Sequence, residues 1–209
     1  METPYAWCRL AAAVALSTIG GVGLWSIVVA LPAVQADFGV VRAGAALPYA
    51  LITIGVVLGS VLAGRLVDRF GIMMPVVGGT IMLSVGYMAT AHAPDITVFA
   101  IICGVLIGML GTAVVSAPLI ADTSLWFDRR RGLAIALCAS GNYFAGTIWP
   151  PVIEHFITTN GWRQTHLFIG LIFLVTMLPL TLVLRRPAPP QAPAATDAGA
   201  SRALRPGLL

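Results

Sequence analysis

The chain has 209 residues, of which 58% are hydrophobic and only 10% charged, with a formal net charge of +4 and a mean hydropathy of +0.94. Soluble domains carry about a quarter charged residues, so this composition belongs to a chain whose solvent is lipid. The basic residues are all arginine and stand singly or in short clusters between apolar runs, which excludes the solvated basic face that a nucleic-acid binder needs.

A helix must supply about 20 mostly apolar residues to cross the hydrocarbon core, because no backbone polar group can stay unpaired there. Six runs meet that requirement and predict an all-α membrane bundle over residues 1–184. The first is Leu10 to Val34. Val34-Gln35-Ala36 could pass for a cleavage site, but the run is about twice the length of a signal h-region and only Arg9 precedes it, so a retained anchor is expected. After the polar stretch holding Asp37 and Arg42 comes a second run, Gly44 to Ala63, and then a third, Met73 to Ala93. A break at His92 to Asp95 leads into Ile96 to Ile120, and the charged stretch Asp122 to Arg131 leads into Gly132 to Ile157. The last run is Gln164 to Leu184, and the Pro/Ala-rich residues 185–209 read as a disordered tail or a truncated central linker.

An even number of crossings places both termini on one side, and on that side fall ten arginines, against Arg42 and Arg163 on the other. The excess of positive charge marks the cytoplasmic face, so both termini are expected there in a multi-pass inner or plasma membrane protein. Trp7, Trp126 and Trp162 fall at predicted interfaces, as an aromatic belt requires.

Within the runs, Gly55/Gly59 and Gly104/Gly108 have the small-xxx-small spacing that lets helix backbones approach. Pro118, Pro150, Pro151 and Pro179 mark bends. Cys8, Cys103 and Cys138 have no metal-ligand spacing and read as small packing residues. No charged residue falls at the predicted centre of a run. Glu154 and His155 lie roughly 15 Å beyond the midpoint of theirs by helical rise, at an interface, with proton coupling as the alternative role. Asn142 and Tyr143 are uncharged hydrogen-bonding groups near mid-membrane, and Trp25 is deep enough to stack on a ligand or to pack in the core. No metal, nucleophile or phosphate-cradling pattern is present, so neither a cofactor nor an enzyme is expected.

The connection Gly64-Arg65-Leu66-Val67-Asp68-Arg69-Phe70-Gly71 is the most specific stretch of the first half. Its glycines permit a tight turn, Asp68 can face a helix N-terminus, and Arg129, Arg130 and Arg131 supply partners from the next connection on the same side. A loop that served topology alone would need arginine without this spacing, so a gating latch is favoured.

This stretch resembles the signature loop between the second and third helices of the major facilitator superfamily. Trp126 to Ala134, running on to Ser140-Gly141 and Pro150-Pro151, is similar to members of the monocarboxylate transporter and oxalate/formate antiporter branch, and Gly161-Trp162-Arg163 is another recurring element. The resemblance spans residues 10 to 184 and implies one half, a 3+3 inverted repeat, of a twelve-helix fold with substrate held at the midplane between halves. It implies a gating loop, framed by Gly64 and Gly71, in which Asp68 and Arg69 belong to a cytoplasmic charge network with Arg129, Arg130 and Arg131 nearby. Ile72, Met73 and Met74 stand where that family usually carries further basic residues, so part of the network is weakened. The function implied is secondary transport of a small organic solute, a monocarboxylate-like anion being one candidate, by alternating access. It requires a second six-helix half or a homodimer. The alternative is a truncated, transport-inactive membrane protein or an interaction module.

Overall fold

The computed structural model describes residues 4–40, 44, 46–127 and 129–185, and every regular element among them is helical. Arg42, Asp128 and the tail expected beyond Arg185 lie outside the described residues.

Helices α1, Pro4–Gly20, and α2, Val22–Phe38, form one 35-residue run broken at Gly21. Helix α3 is Leu47–Phe70 and α4 is Met73–Ala91. Helix α5, Ile96–Ile102, continues as a π-helical segment, Cys103–Thr112, and then as α6, Ala113–Trp126. Helix α7 is Arg131–Asn160, and α8, Trp162–Thr181, closes with a 3-10 turn, Leu182–Arg185.

Among the described residues, five runs are long and apolar enough to cross a bilayer: Pro4–Phe38, Leu47–Phe70, Met73–Ala91, Ile96–Trp126 and Trp162–Arg185. The remaining expected crossing is α7, which at 30 residues has ample length but falls short in apolarity. The cause is in its own residues, since Ser140, Asn142, Tyr143, Thr147 and the Pro150-Pro151 pair dilute an otherwise apolar helix.

Two boundaries differ from expectation in ways that bear on function. Helix α3 runs through Gly64, Asp68 and Arg69 to Phe70, so these residues form helical turns and the connection to α4 is only Gly71 and Ile72. Nothing from Arg65 to Phe70 breaks a helix, and the chain turns where Gly71 takes a φ of 72°, a conformation that favours glycine. Helix α6 likewise carries Asp122 inside its last turns.

The helices pack through small residues. A Cβ on Gly55 would overlap the Gly104 carbonyl oxygen, and one on Gly59 would overlap that of Met109. Helix α3 therefore lies backbone to backbone on the π segment, as the spacing of those glycines predicts. Helix α4 packs on α8 and the π segment, while α1 and α2 pack on α7. Leu16, Leu83, Ile107 and Phe173 lie in the shared core. Helix α3 turns Ile54, Val57, Leu58 and Val61 outward, and α7 does the same with Tyr143, Phe144 and Ile148.

Candidate functional site

Between α1, α3, the π/α6 junction and α7 lies a cleft of about 420 Å³, within the range that holds small organic ligands. Helical spacing explains its lining. Tyr49, Thr53 and Val56 share a face of α3, Thr112, Val115 and Ser116 face them from the π/α6 junction, and Cys138, Asn142 and Tyr143 come from α7. Helix α1 adds Leu16, Ser17 and Gly20, and Gly21 follows at the break.

The lining is mostly apolar, and the polar side chains in it are uncharged. Thr53 donates to the Tyr49 carbonyl at 2.9 Å and Ser116 to the Thr112 carbonyl at 2.7 Å, so each hydroxyl proton is spent within its own helix and the oxygen lone pairs remain for a ligand. The Thr112 hydroxyl is buried without a partner, and the Asn142 carboxamide has no hydrogen bond among the described residues. The cleft thus offers neutral donors and acceptors set in apolar walls.

Asn142 and Tyr143, both singled out from the sequence, reach the cleft, and Tyr143 is 74% exposed at its edge. Trp25 is turned aside. Its indole donates to the Asn142 carbonyl at 3.2 Å and its ring lies against Gly146. Glu154 and His155 are exposed on α7 away from the cleft, with the His155 ring beside Phe156. Asp68 and Arg69 are exposed at the end of α3, where the Arg69 guanidinium lies 5.5 Å from the Phe70 ring. Arg129, Arg130 and Arg131 are exposed at the start of α7, and Arg131 donates to Ser124 Oγ at 3.3 Å. Among the described residues no ion pair joins Asp68 to this cluster.

Two ion pairs were not foreseen. Arg9 on α1 makes a bidentate pair with Asp122 on α6, at 2.7 Å from Nε and 2.9 Å from Nη2, and both side chains are buried. The Trp126 ring lies 4.7 Å from the guanidinium and adds a cation–π contact. The helices this pair joins, α1 and α6, both contribute to the cleft, where Ser17 Oγ lies 3.9 Å from Cys138 Sγ. At the opposite end of the bundle, Arg163 on α8 pairs with Asp37 on α2 at 2.9 Å and also donates to the carbonyls of Ala91 and Ala93. The sequence carried a signal for the first pair. Arg9 shares a helical stripe with the buried Ala6, Ala13 and Leu16, and Asp122 shares one with Val115 and Leu119.

Comparison with known proteins gives a consistent answer. The family model described as Major Facilitator Superfamily matches residues 13–208. Human monocarboxylate transporter 11 is 34% identical over 142 residues, covering 65% of this chain and 30% of that protein. The mouse protein of the same name is 29% identical over 197 residues, covering 91% of this chain and 44% of that protein. The uncharacterized MFS-type transporter YcxA of Bacillus subtilis is 30% identical over 146 residues, covering 70% and 35%. The chain therefore spans less than half the length of these relatives.

Proposed function

The chain belongs to the major facilitator superfamily, and from that membership we propose that it is the N-terminal half of a secondary transporter that moves a small organic solute by alternating access. The observation that carries the reading is the cleft of about 420 Å³, whose mostly apolar walls carry neutral polar groups from α1, α3, the π/α6 junction and α7. Its rim continues into the exposed apolar faces of α3 and α7. In twelve-helix transporters of this kind the site lies at the interface between two repeats, so an open, half-walled cavity is what one repeat alone would present.

On this reading α7 is the sixth crossing, and its Asn142 and Tyr143 face the cleft. The 3+3 repeat, the cytoplasmic placement of the Arg9 end and the latch role of Asp68, Arg69 and Arg129 to Arg131 follow from the same assignment. The complementary wall comes from a second six-helix half or a second copy. Because no charged side chain lines this wall, an anion such as a monocarboxylate would draw its countercharge from the other half. The neutral groups here, Asn142 and Thr112 foremost, would fix the polar end of the solute.

The test is uptake into proteoliposomes of monocarboxylates and of neutral polar solutes of similar size. The chain is assayed alone and together with a second six-helix half, alongside its oligomeric state. Uptake that falls at least tenfold in Asn142→Ala supports the reading. A chain that stays monomeric and inactive with every candidate partner half refutes it.

A further inference from the structure

The cleft is not uniform along the bundle axis. The α1–α2 run climbs from the Arg9 end towards the Arg163 end, α7 runs the same way, and α3 and the π/α6 stretch run back. Contact fixes their register, since a Cβ on Gly141 would meet Ser17, one on Gly21 would meet Asn142 and one on Gly20 would meet Val115. Along those directions the lining separates into two levels. Leu16, Val115, Ile120, Cys138 and Ala139 lie towards the Arg9 end. Asn142 and Tyr143 stand one turn further along α7, and Tyr49 and Thr53 lie in the first turns of α3, with Leu24 and Val56 as apolar sides. The floor is therefore largely hydrocarbon. Its two hydroxyls are committed, Ser17 to the Cys138 thiol and Ser116 to the Thr112 carbonyl.

What the upper level offers is protons. The Asn142 carboxamide turns its oxygen against Gly21, 2.8 Å from the point a Cβ there would occupy, where the glycine Cα hydrogens are weak donors. Its Nδ2 end, with two protons and no hydrogen bond among the described residues, is left for the cleft. The residue is itself held in place, because the Trp25 indole donates to its backbone carbonyl at 3.2 Å and Gly146 makes room for that ring. The phenols of Tyr49 and Tyr143 are exposed and carry protons of their own. Neither a cationic side chain nor a carboxylate lines either level.

We propose that this half selects a compact, hydrocarbon-bodied solute with one uncharged hydrogen-bond acceptor, a carbonyl of the ketone, ester or amide kind. The inference rests on the transport reading for the purpose of the cleft. The body lies on Leu16, Val115, Ile120 and Ala139, and the carbonyl oxygen, turned towards the Arg163 end, accepts from Asn142 Nδ2. Other heads meet a mismatch. A carboxylate would enter mostly apolar walls with no cation to replace its hydration. An ammonium would bring protons to a level that already supplies them, with no carboxylate to receive its charge. A polyol would press hydroxyls onto the hydrocarbon floor, where they lose water and gain no partner. Asn142 is thus the residue that determines specificity.

The experiment measures how probes sharing one cyclohexane ring bind the purified chain in nanodiscs: cyclohexyl methyl ketone, cyclohexanecarboxylate, cyclohexylmethylammonium and inositol. Binding is read by saturation-transfer NMR titration, with empty nanodiscs subtracted to remove partition into lipid. The ketone should bind at least about tenfold more tightly than the carboxylate or the ammonium, and inositol should not bind. Asn142→Leu keeps the volume, removes the protons and should weaken ketone binding about five- to tenfold. Ala139→Leu fills the floor and should abolish it, with helix content unchanged in both variants. The ranking of heads in the parent chain stands whether or not either variant folds. A carboxylate bound as tightly as the ketone, no ketone binding above empty nanodiscs, or unchanged ketone binding in either folded variant overturns the proposal. Ketone binding by a chain that gives no uptake with any partner half removes the transport reading alone, whereas uptake of the carboxylate with the ketone unbound removes this selectivity alone.

Discussion

Replacing Asp122 by Asn keeps the shape of the side chain and removes its charge, so the buried Arg9 guanidinium loses the carboxylate it holds in a bidentate contact. Both side chains are buried, at 3% and 9% of full exposure, and the contact is bidentate. Breaking a buried pair on one side costs about 3–5 kcal/mol, because the remaining charge is left uncompensated. For a chain of this size each kcal/mol is about 2–4 °C of melting temperature, so Asp122→Asn should unfold roughly 6–20 °C below the parent. Replacing both partners, in Arg9→Met with Asp122→Leu, removes the desolvated charges together and should restore most of that loss. A thiol-reactive dye makes the assay simple. Cys103 and Cys138 are buried and report unfolding, and the exposed Cys8 is first changed to Ser. An Asp122→Asn melting point within about 2 °C of the parent, or a double variant less stable than either single one, would show that the pair contributes no such coupling.

The opposite pair should behave differently. Asp37→Asn is expected to cost at most about 1 kcal/mol, because that pair is solvent-exposed, whereas Arg163→Ala also strips the donor from two carbonyls at the end of α4 and should cost about 1.5–3 kcal/mol in the same melt. Gly55→Ala drives a methyl group into the Gly104 carbonyl and should destabilise by about 1–3 kcal/mol. At Gly78 a Cβ meets open space, and the same change should be neutral or stabilising by about 0.5–1 kcal/mol. Mass spectrometry of the folded protein after brief maleimide treatment should find Cys8 labelled and Cys103 untouched; prompt labelling of Cys103 would contradict its burial in the core.

The helical bundle was legible because apolar length is dictated by bilayer thickness, and the glycine pairs at Gly55/Gly59 and Gly104/Gly108 announced a close helix contact that the structure contains. Of the three mid-membrane groups singled out from the sequence, Asn142 and Tyr143 lie in the cleft lining and Trp25 does not. Long-range pairing was not legible. Arg9 and Asp122 are 113 residues apart and Asp37 and Arg163 are 126 apart, and neither pair forms until two runs lie side by side. Reading charge only as a mark of sidedness assigned Arg9 to topology and Asp122 to a connection, although helical register already placed both on buried stripes.

The positions of the two ion pairs say how such a bundle can move. The α1–α2 run is tied near its start to α6 by Arg9 and Asp122 and near its end to α8 by Asp37 and Arg163, so one continuous element is clamped at both ends, roughly 40 Å apart by helical rise. Helices α3 and the π segment are held by backbone contact with no side chain between them to compress. Opening at the Arg9 end would break a buried charge pair, at a cost of several kcal/mol, opening between α3 and the π segment would pull apart interlocked backbones, and the exposed Asp37–Arg163 pair is the weaker fastening. The exposed faces of α3 and α7 have no such fastening among the described residues. A conformational cycle would therefore move the bundle largely as one body against whatever covers those two faces.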